Sequence, residues 1–328
     1  VEHKSFSFVM KCCRELDNSP AGTVAFVVGP SGAGKTELSY LIGPQIYGGG
    51  REESGKQLWV RVSAENPQAG FFTSKYLIGQ ILEEFRDPFH GMTHSLPEGL
   101  PPEQVERLRF ALTRIAKGIR ASEEDTRKAA ISIARALSCR MLILDEANLM
   151  VLTKKGRPIE VYLESIRTLA KAMGVRVLML GTLSLLDYVD YSAQISRIGL
   201  IWHLDRMKDD SEEAMLEFLS FLDQVQSDLG LGDLLTGNAE ALYEATYGIP
   251  GELISLLERA RIKAAADGRT DIEFRHVEDS LPLQVVRERM RAEADLIENF
   301  VSGKPISLPP GILGLSRRDR SRKARGRE

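Results

Sequence analysis

A chain of 328 residues, 43% hydrophobic and 27% charged, is an ordinary globular composition with room for one large core and a smaller companion domain. The net charge of −3 hides a split: residues 316–328 hold seven Arg or Lys against Asp319 and Glu328, leaving 36 basic and 44 acidic residues elsewhere. That balance excludes a generally basic nucleic-acid-binding surface, so any such contact has to come from a local patch. The three cysteines, Cys12, Cys13 and Cys139, exclude a disulfide framework and lack metal-ligand spacing. No apolar run approaches the ~18 residues of a membrane span, and the start lacks a signal-peptide pattern. A cytoplasmic protein without a membrane anchor is expected.

In chain order, residues 1–21 read as an N-terminal helix. Thr23–Val28 is a continuous apolar run rich in β-branched residues, as expected of a strand buried on both faces. Gly29-Pro30-Ser31-Gly32-Ala33-Gly34-Lys35-Thr36 follows directly, and Lys35–Gln45 reads as the helix that closes this loop. Further strands are predicted at Leu58–Val62, Met141–Leu144 and Val175–Leu180, with helical patterns at Tyr76–Phe85 and around Ile115 and Ile131. Strands alternating with helices imply a mostly parallel sheet covered on both faces. From Ser211 the strands stop, and Glu213–Leu229, Ala239–Tyr247 and Gly251–Ala266 read as helices. The expected organisation is therefore an α/β nucleotide-binding core over 22–210, a small all-helical lid over 211–285, and a last helix with a basic tail over 286–328.

The glycine loop is a P-loop: its backbone N–H groups can surround phosphates, and the N-terminus of the following helix adds partial positive charge. Lys35 is expected to reach the β and γ phosphates of ATP, and the Thr36 hydroxyl to hold Mg2+. Asp145 ends a hydrophobic strand, where a carboxylate meets the metal, and Glu146 stands next to it as the group that polarises the attacking water. The absence of Asn-Lys-x-Asp disfavours a GTPase, and the absence of an ABC signature loop disfavours that class. An AAA+-like ATPase with a helical lid remains.

Gly181-Thr182-Leu183-Ser184-Leu185-Leu186, then Gln194-Ile195-Ser196-Arg197, then His203 and Arg206 resemble a run of motifs in AAA+ transposition regulators of the TniB and TnsC type. Val62–Phe72, Ile81-Leu82, Asp87-Pro88 and Gly248-Ile249-Pro250-Gly251 are similar to other stations of that family, over roughly residues 1–280. The resemblance implies a bacterial, ATP-dependent homo-oligomer, ring or filament, on double-stranded DNA. Such an assembly marks a target site, recruits or activates a transposase, and answers to a target-selecting protein or RNA-guided complex. It further implies that Thr182 senses the γ phosphate and that Arg197 is the arginine finger offered to the next subunit, with Arg206 its nearest competitor. Ile198 stands where the family often has a second Arg. Glu252 stands where many AAA+ lids place an Arg, and its position suits the start of a helix.

The expected DNA contacts are Lys75, Lys154, Lys155 and Arg157, through phosphates rather than bases. The basic tail could grip DNA or an acidic partner. Two rival readings keep the ATPase: an origin-recognition or helicase-loader switch, and a signalling ATPase without DNA. The first would more naturally add a winged-helix domain, for which the 45 residues after Leu283 are few.

Overall fold

The computed structural model describes residues 4–49, 56–64, 73–85, 122–151, 159–185 and 200–302. Five parallel strands form one sheet: β1 (Val24–Val28), β2 (Trp59–Ser63), β3 (Met141–Asp145), β4 (Arg176–Gly181) and β5 (Leu200–His203), in the order β2-β3-β4-β1-β5. Helices α1 (Lys4–Leu16), α2 (Lys35–Tyr47), α3 (Ser74–Glu84), α4 (Glu123–Ala136) and α5 (Ile159–Met173) surround it.

The alternation of side chains along each strand divides the core into two layers. Phe26, Val60, Val62, Leu142, Leu144, Val177 and Met179 face α3, α4 and α5. Ala25, Val27, Met141, Ile143, Leu178 and Leu180 face α1 and α2, through Val9, Leu16, Leu38 and Ile42. All five residues of β1 and of β3 are buried, which explains why both read as unbroken apolar runs. β5 was not among the predicted strands. Its four residues, Leu-Ile-Trp-His, are half exposed at the sheet edge and pair with β1 alone, so they carry neither a buried run nor a clean alternation.

Beyond the sheet, α6 (Glu212–Leu229), α7 (Ala239–Thr246), α8 (Pro250–Ala266) and α9 (Phe274–Glu278) build a separate hydrophobic cluster. Phe218, Leu222, Leu242, Leu253 and Leu257 form its centre, and the Phe218 ring meets Tyr243 edge-on at 5.1 Å. Ser211 starts α6 by accepting the Ala214 N–H, and Gly230 ends it in the left-handed conformation.

The last helix, α10 (Gln284–Val301), is rich in Arg and Glu, which gives no sign of where it packs. It returns to the sheet, burying Leu296 and Ile297 in the α3–α5 layer. Among the described residues no helix is long and apolar enough to cross a membrane, and no His, Cys, Asp and Glu cluster has the form of a metal site.

Candidate functional site

The C-terminal ends of parallel strands leave a crevice, and here β1, β3 and β4 converge on one. β1 runs into the glycine loop, where Gly32 (φ +79°) and Gly34 (φ +91°) take the left-handed backbone that only glycine adopts without strain. Gly29 must also be bare, because a Cβ there would lie 2.5 Å from the Leu204 carbonyl oxygen. Gly34 starts α2 without a side-chain cap, so the first N–H groups of that helix have no side-chain acceptor. These features fit a phosphate cradle.

Lys35 is 8% exposed, and its ammonium donates to the carbonyls of Gly29 at 2.9 Å and Pro30 at 2.7 Å. Burial lowers its pKa to about 8, opposed by the carboxylates of Glu293, Glu146 and Asp145. A phosphate binds the charged ammonium, so metal-free nucleotide affinity is expected to be level below about pH 7. It then falls as the pH rises through about 8, by up to about tenfold per unit. Between about 8 and the ordinary 10.5 the folded empty chain binds fewer protons than the unfolded one, so stability from this group rises with pH over that window. Titration of a fluorescent nucleotide against pH checks the first effect, and Lys35→Arg is expected to remove the fall.

Asp145 is 2% exposed at the end of β3. Its Oδ2 accepts from Ser39 Oγ at 3.1 Å and from Arg61 Nη2 at 2.6 Å, and its Oδ1 accepts the Glu146 N–H at 3.0 Å. Glu146 is exposed and has φ +51°, a left-handed backbone that costs a non-glycine residue about 1–2 kcal/mol. Such cost persists where the surroundings impose the geometry, and here the turn aims Glu146 out of the strand end. Thr36, also exposed, lies one residue into α2. Thr182 follows β4, its Oγ1 3.5 Å from Ser184 Oγ, and Gly181 before it accepts the Gly29 N–H. The P-loop, Asp145, Glu146 and Thr182 thus share one rim. Thr36 and Asp145 are the oxygen donors that suit a magnesium ion.

Two elements close over this rim from the helical part. The start of α8 touches the glycine loop: Gly251 N–H donates to the Gly32 carbonyl at 2.9 Å, and a Cβ on Gly251 would stand 2.7 Å from that oxygen. Glu252 sits in the first turn of α8, where a carboxylate is favoured. From α10, the Glu293 carboxylate faces the Ser31 N–H and the Lys35 ammonium; burial raises its pKa, while Lys35 and the Ser31 bond lower it. An anion in this position competes with a phosphate for the same donors. Glu293→Gln is therefore expected to tighten metal-free ADP binding by about tenfold, read by fluorescence titration. Unchanged affinity would show that the carboxylate leaves the cradle free.

Arg206 is committed within the chain. It is 8% exposed, pairs with Glu298 at 2.9 Å, donates to Tyr243 Oη at 2.6 Å and lies 3.7 Å above the Tyr247 ring. Lys75 is exposed in the first turn of α3. Arg197, Lys154, Lys155 and Arg157 lie outside the described residues. Sequence reasoning missed Arg61, Ser39 and Glu293. A lone Arg within the otherwise apolar Leu58–Val62 run was the available signal for the first; the other two give none.

Residues 102–201, just under a third of the chain, match the family model described as bacterial TniB protein. A search of curated proteins gives no match. Among solved structures, the Walker-type ATPase PABY2304 of Pyrococcus abyssi shares 15% identity and a TM-score of 0.52, over 90% of this chain and 76% of that one. The ORC2 protein of Aeropyrum pernix shares 16% identity and a TM-score of 0.53, over 93% and 77%. The ORC1 protein of the same organism, solved with DNA, gives 15%, 0.53, 92% and 68%. At such identities the likeness speaks for the fold, which is the AAA+ P-loop fold. The TniB match contains Asp145, Glu146 and Thr182, while the P-loop and the closing helices lie outside it. A segment similar to the TniB family model, carrying the Asp-Glu strand, is thus set into an AAA+ P-loop fold.

Proposed function

We propose that the chain hydrolyses ATP with Mg2+, assembles side by side on double-stranded DNA in its ATP-bound form, and marks a transposition target for a transposase, with hydrolysis driving disassembly. The observation that carries this reading is the TniB match across a strand end where Asp145 and Glu146 face a glycine cradle. The likeness to an ORC1 protein solved with DNA supports the DNA part. So does an exposed Lys75 on α3, joined in this reading by Lys154, Lys155 and Arg157.

Each side chain has a task its surroundings suit. The Gly32 and Gly34 backbone opens the loop so that N–H groups meet phosphate oxygens. Lys35 needs only to exchange two carbonyl acceptors for a phosphate. Thr36 and Asp145 would hold magnesium, which when bound neutralises charge building on the transferring phosphoryl group. The exposed Glu146 carboxylate accepts a hydrogen bond from water and orients it. Thr182, at the end of β4, is positioned to sense the γ phosphate, and Arg197 is assigned as the finger for the neighbouring subunit. The core over 22–210, the lid over 211–285 and a transposase or target-selecting partner belong to the same proposal.

Phosphate release with and without duplex DNA, for the native chain, Lys35→Ala and Arg197→Ala, tests it. Turnover is expected in the native chain and lost in both variants, with nucleotide binding lost only in Lys35→Ala. Turnover by Lys35→Ala would contradict the assignment of the site.

A further inference from the structure

On β2, Val60 and Val62 point into one core layer, which leaves Trp59, Arg61 and Ser63 on the α2 side. Trp59 lies against Gly43, where a Cβ would stand within 2.2 Å of its ring. Two residues further along β2, Arg61 meets the preceding turn of α2. Its Nε donates to Ser39 Oγ at 2.7 Å, its Nη2 donates to Asp145 Oδ2 at 2.6 Å, and its guanidinium lies 3.7 Å over the Tyr40 ring. The side chain of Arg61 is 16% exposed and that of Asp145 3%. Ser39 Oγ completes the arrangement, 2.7 Å from the Thr36 carbonyl.

The lone pairs of Asp145 can be counted. Arg61 takes one position on Oδ2, the single Ser39 hydroxyl proton is shared between the other and the nearer Thr36 carbonyl, and the Glu146 N–H takes one of the two positions on Oδ1. At least one position remains for a metal or its water. A buried carboxylate without a counter-charge is costly, and Arg61 removes that cost when no metal is present. The same positive charge opposes a divalent cation approaching the same carboxylate.

We infer that Arg61 is a tethered counter-ion for Asp145, a positioning residue that stands in for the divalent cation and prevents the metal from binding ahead of the nucleotide. The inference rests on the reading of Asp145 as a metal-holding residue. Its consequence is an order of events: the nucleotide's phosphates must bring enough negative charge to outweigh the guanidinium, so metal and nucleotide enter together. Ser39 ties this exchange to the P-loop helix through the Thr36 carbonyl.

The test compares the full-length native chain, Arg61→Gln and Arg61→Lys by thermal melting with Mg2+ alone, and by fluorescent ADP titration with Mg2+ or with EDTA. Mg2+ alone is expected to leave the native Tm unchanged and to raise that of Arg61→Gln. The gain in ADP affinity from Mg2+ is expected to grow about tenfold in Arg61→Gln, and Arg61→Lys, which keeps the charge, should behave as the native chain. If Mg2+ alone fails to stabilise Arg61→Gln and the gain is unchanged or smaller, the tethered counter-ion is refuted. A native chain that binds ADP equally with Mg2+ and with EDTA would instead remove the metal reading itself. Should Arg61→Gln not fold, Arg61→Lys decides: a shortened, single-point cation that behaves as the native chain supports the charge role, and one that Mg2+ alone stabilises overturns it.

Discussion

Glu146→Gln is expected to keep the fold and nucleotide affinity while lowering ATP turnover by at least about a hundredfold, because an amide cannot accept a proton from the water it orients. The backbone adds a second, opposite effect. Glu146 has φ +51°, so Glu146→Gly should be as inactive as the Gln variant yet more stable by about 1 kcal/mol, as the left-handed strain is relieved. Loss of function with a gain of stability is the signature of strain held for a reaction rather than for folding. Thermal melts and phosphate-release assays on both variants check the pair of effects. An active Gly variant would remove Glu146 from the chemistry, and an inactive but destabilised one would remove the strain argument.

Arg206→Ala is expected to destabilise the chain by about 2 kcal/mol, since the half-buried Glu298 loses its nearest counter-charge and keeps only Lys208 at 3.9 Å. Arg206 joins three parts of the molecule: the segment after β5, Tyr243 of α7 and Glu298 of α10. It also lies on the Tyr247 ring, whose hydroxyl donates to Asp295 at 2.6 Å. Its loss should therefore loosen α10 and the helical part from the sheet together, and hydrogen exchange in α10 is expected to rise with the fall in Tm. An arginine finger behaves in the opposite way, with turnover lost and Tm unchanged. That outcome would return Arg206 to the role assigned here to Arg197.

The sheet and the phosphate loop were legible in the sequence because their physics is local. Buried parallel strands are continuous apolar runs, and a loop that must adopt positive φ at Gly32 and Gly34 writes glycine at those positions. Asp145 and Glu146 were legible because they follow such a run directly. What escaped depends on contacts between residues far apart. Glu293 reaches the P-loop only because Leu296 and Ile297 bring α10 back to the sheet, and a helix rich in Arg and Glu carries no sign of that return. Arg61 meets Asp145 because β2 lies beside β3 in a register that sets Ser63 against Asp145. Strand order is not written in either segment. The edge strand β5 was lost for a third reason, its shortness and partial exposure.

The proposed function requires nucleotide occupancy to govern DNA binding. Fluorescence anisotropy of a labelled duplex, with negative-stain imaging, measures it most directly, for the native chain and Lys35→Ala with no nucleotide, ADP, ATP and a non-hydrolysable ATP analogue. Binding with regular assemblies is predicted for the native chain with ATP or the analogue alone, weakening steeply as salt rises and absent in Lys35→Ala. A native chain that ignores duplex DNA in every nucleotide state, or binds it equally in all of them, would contradict the account.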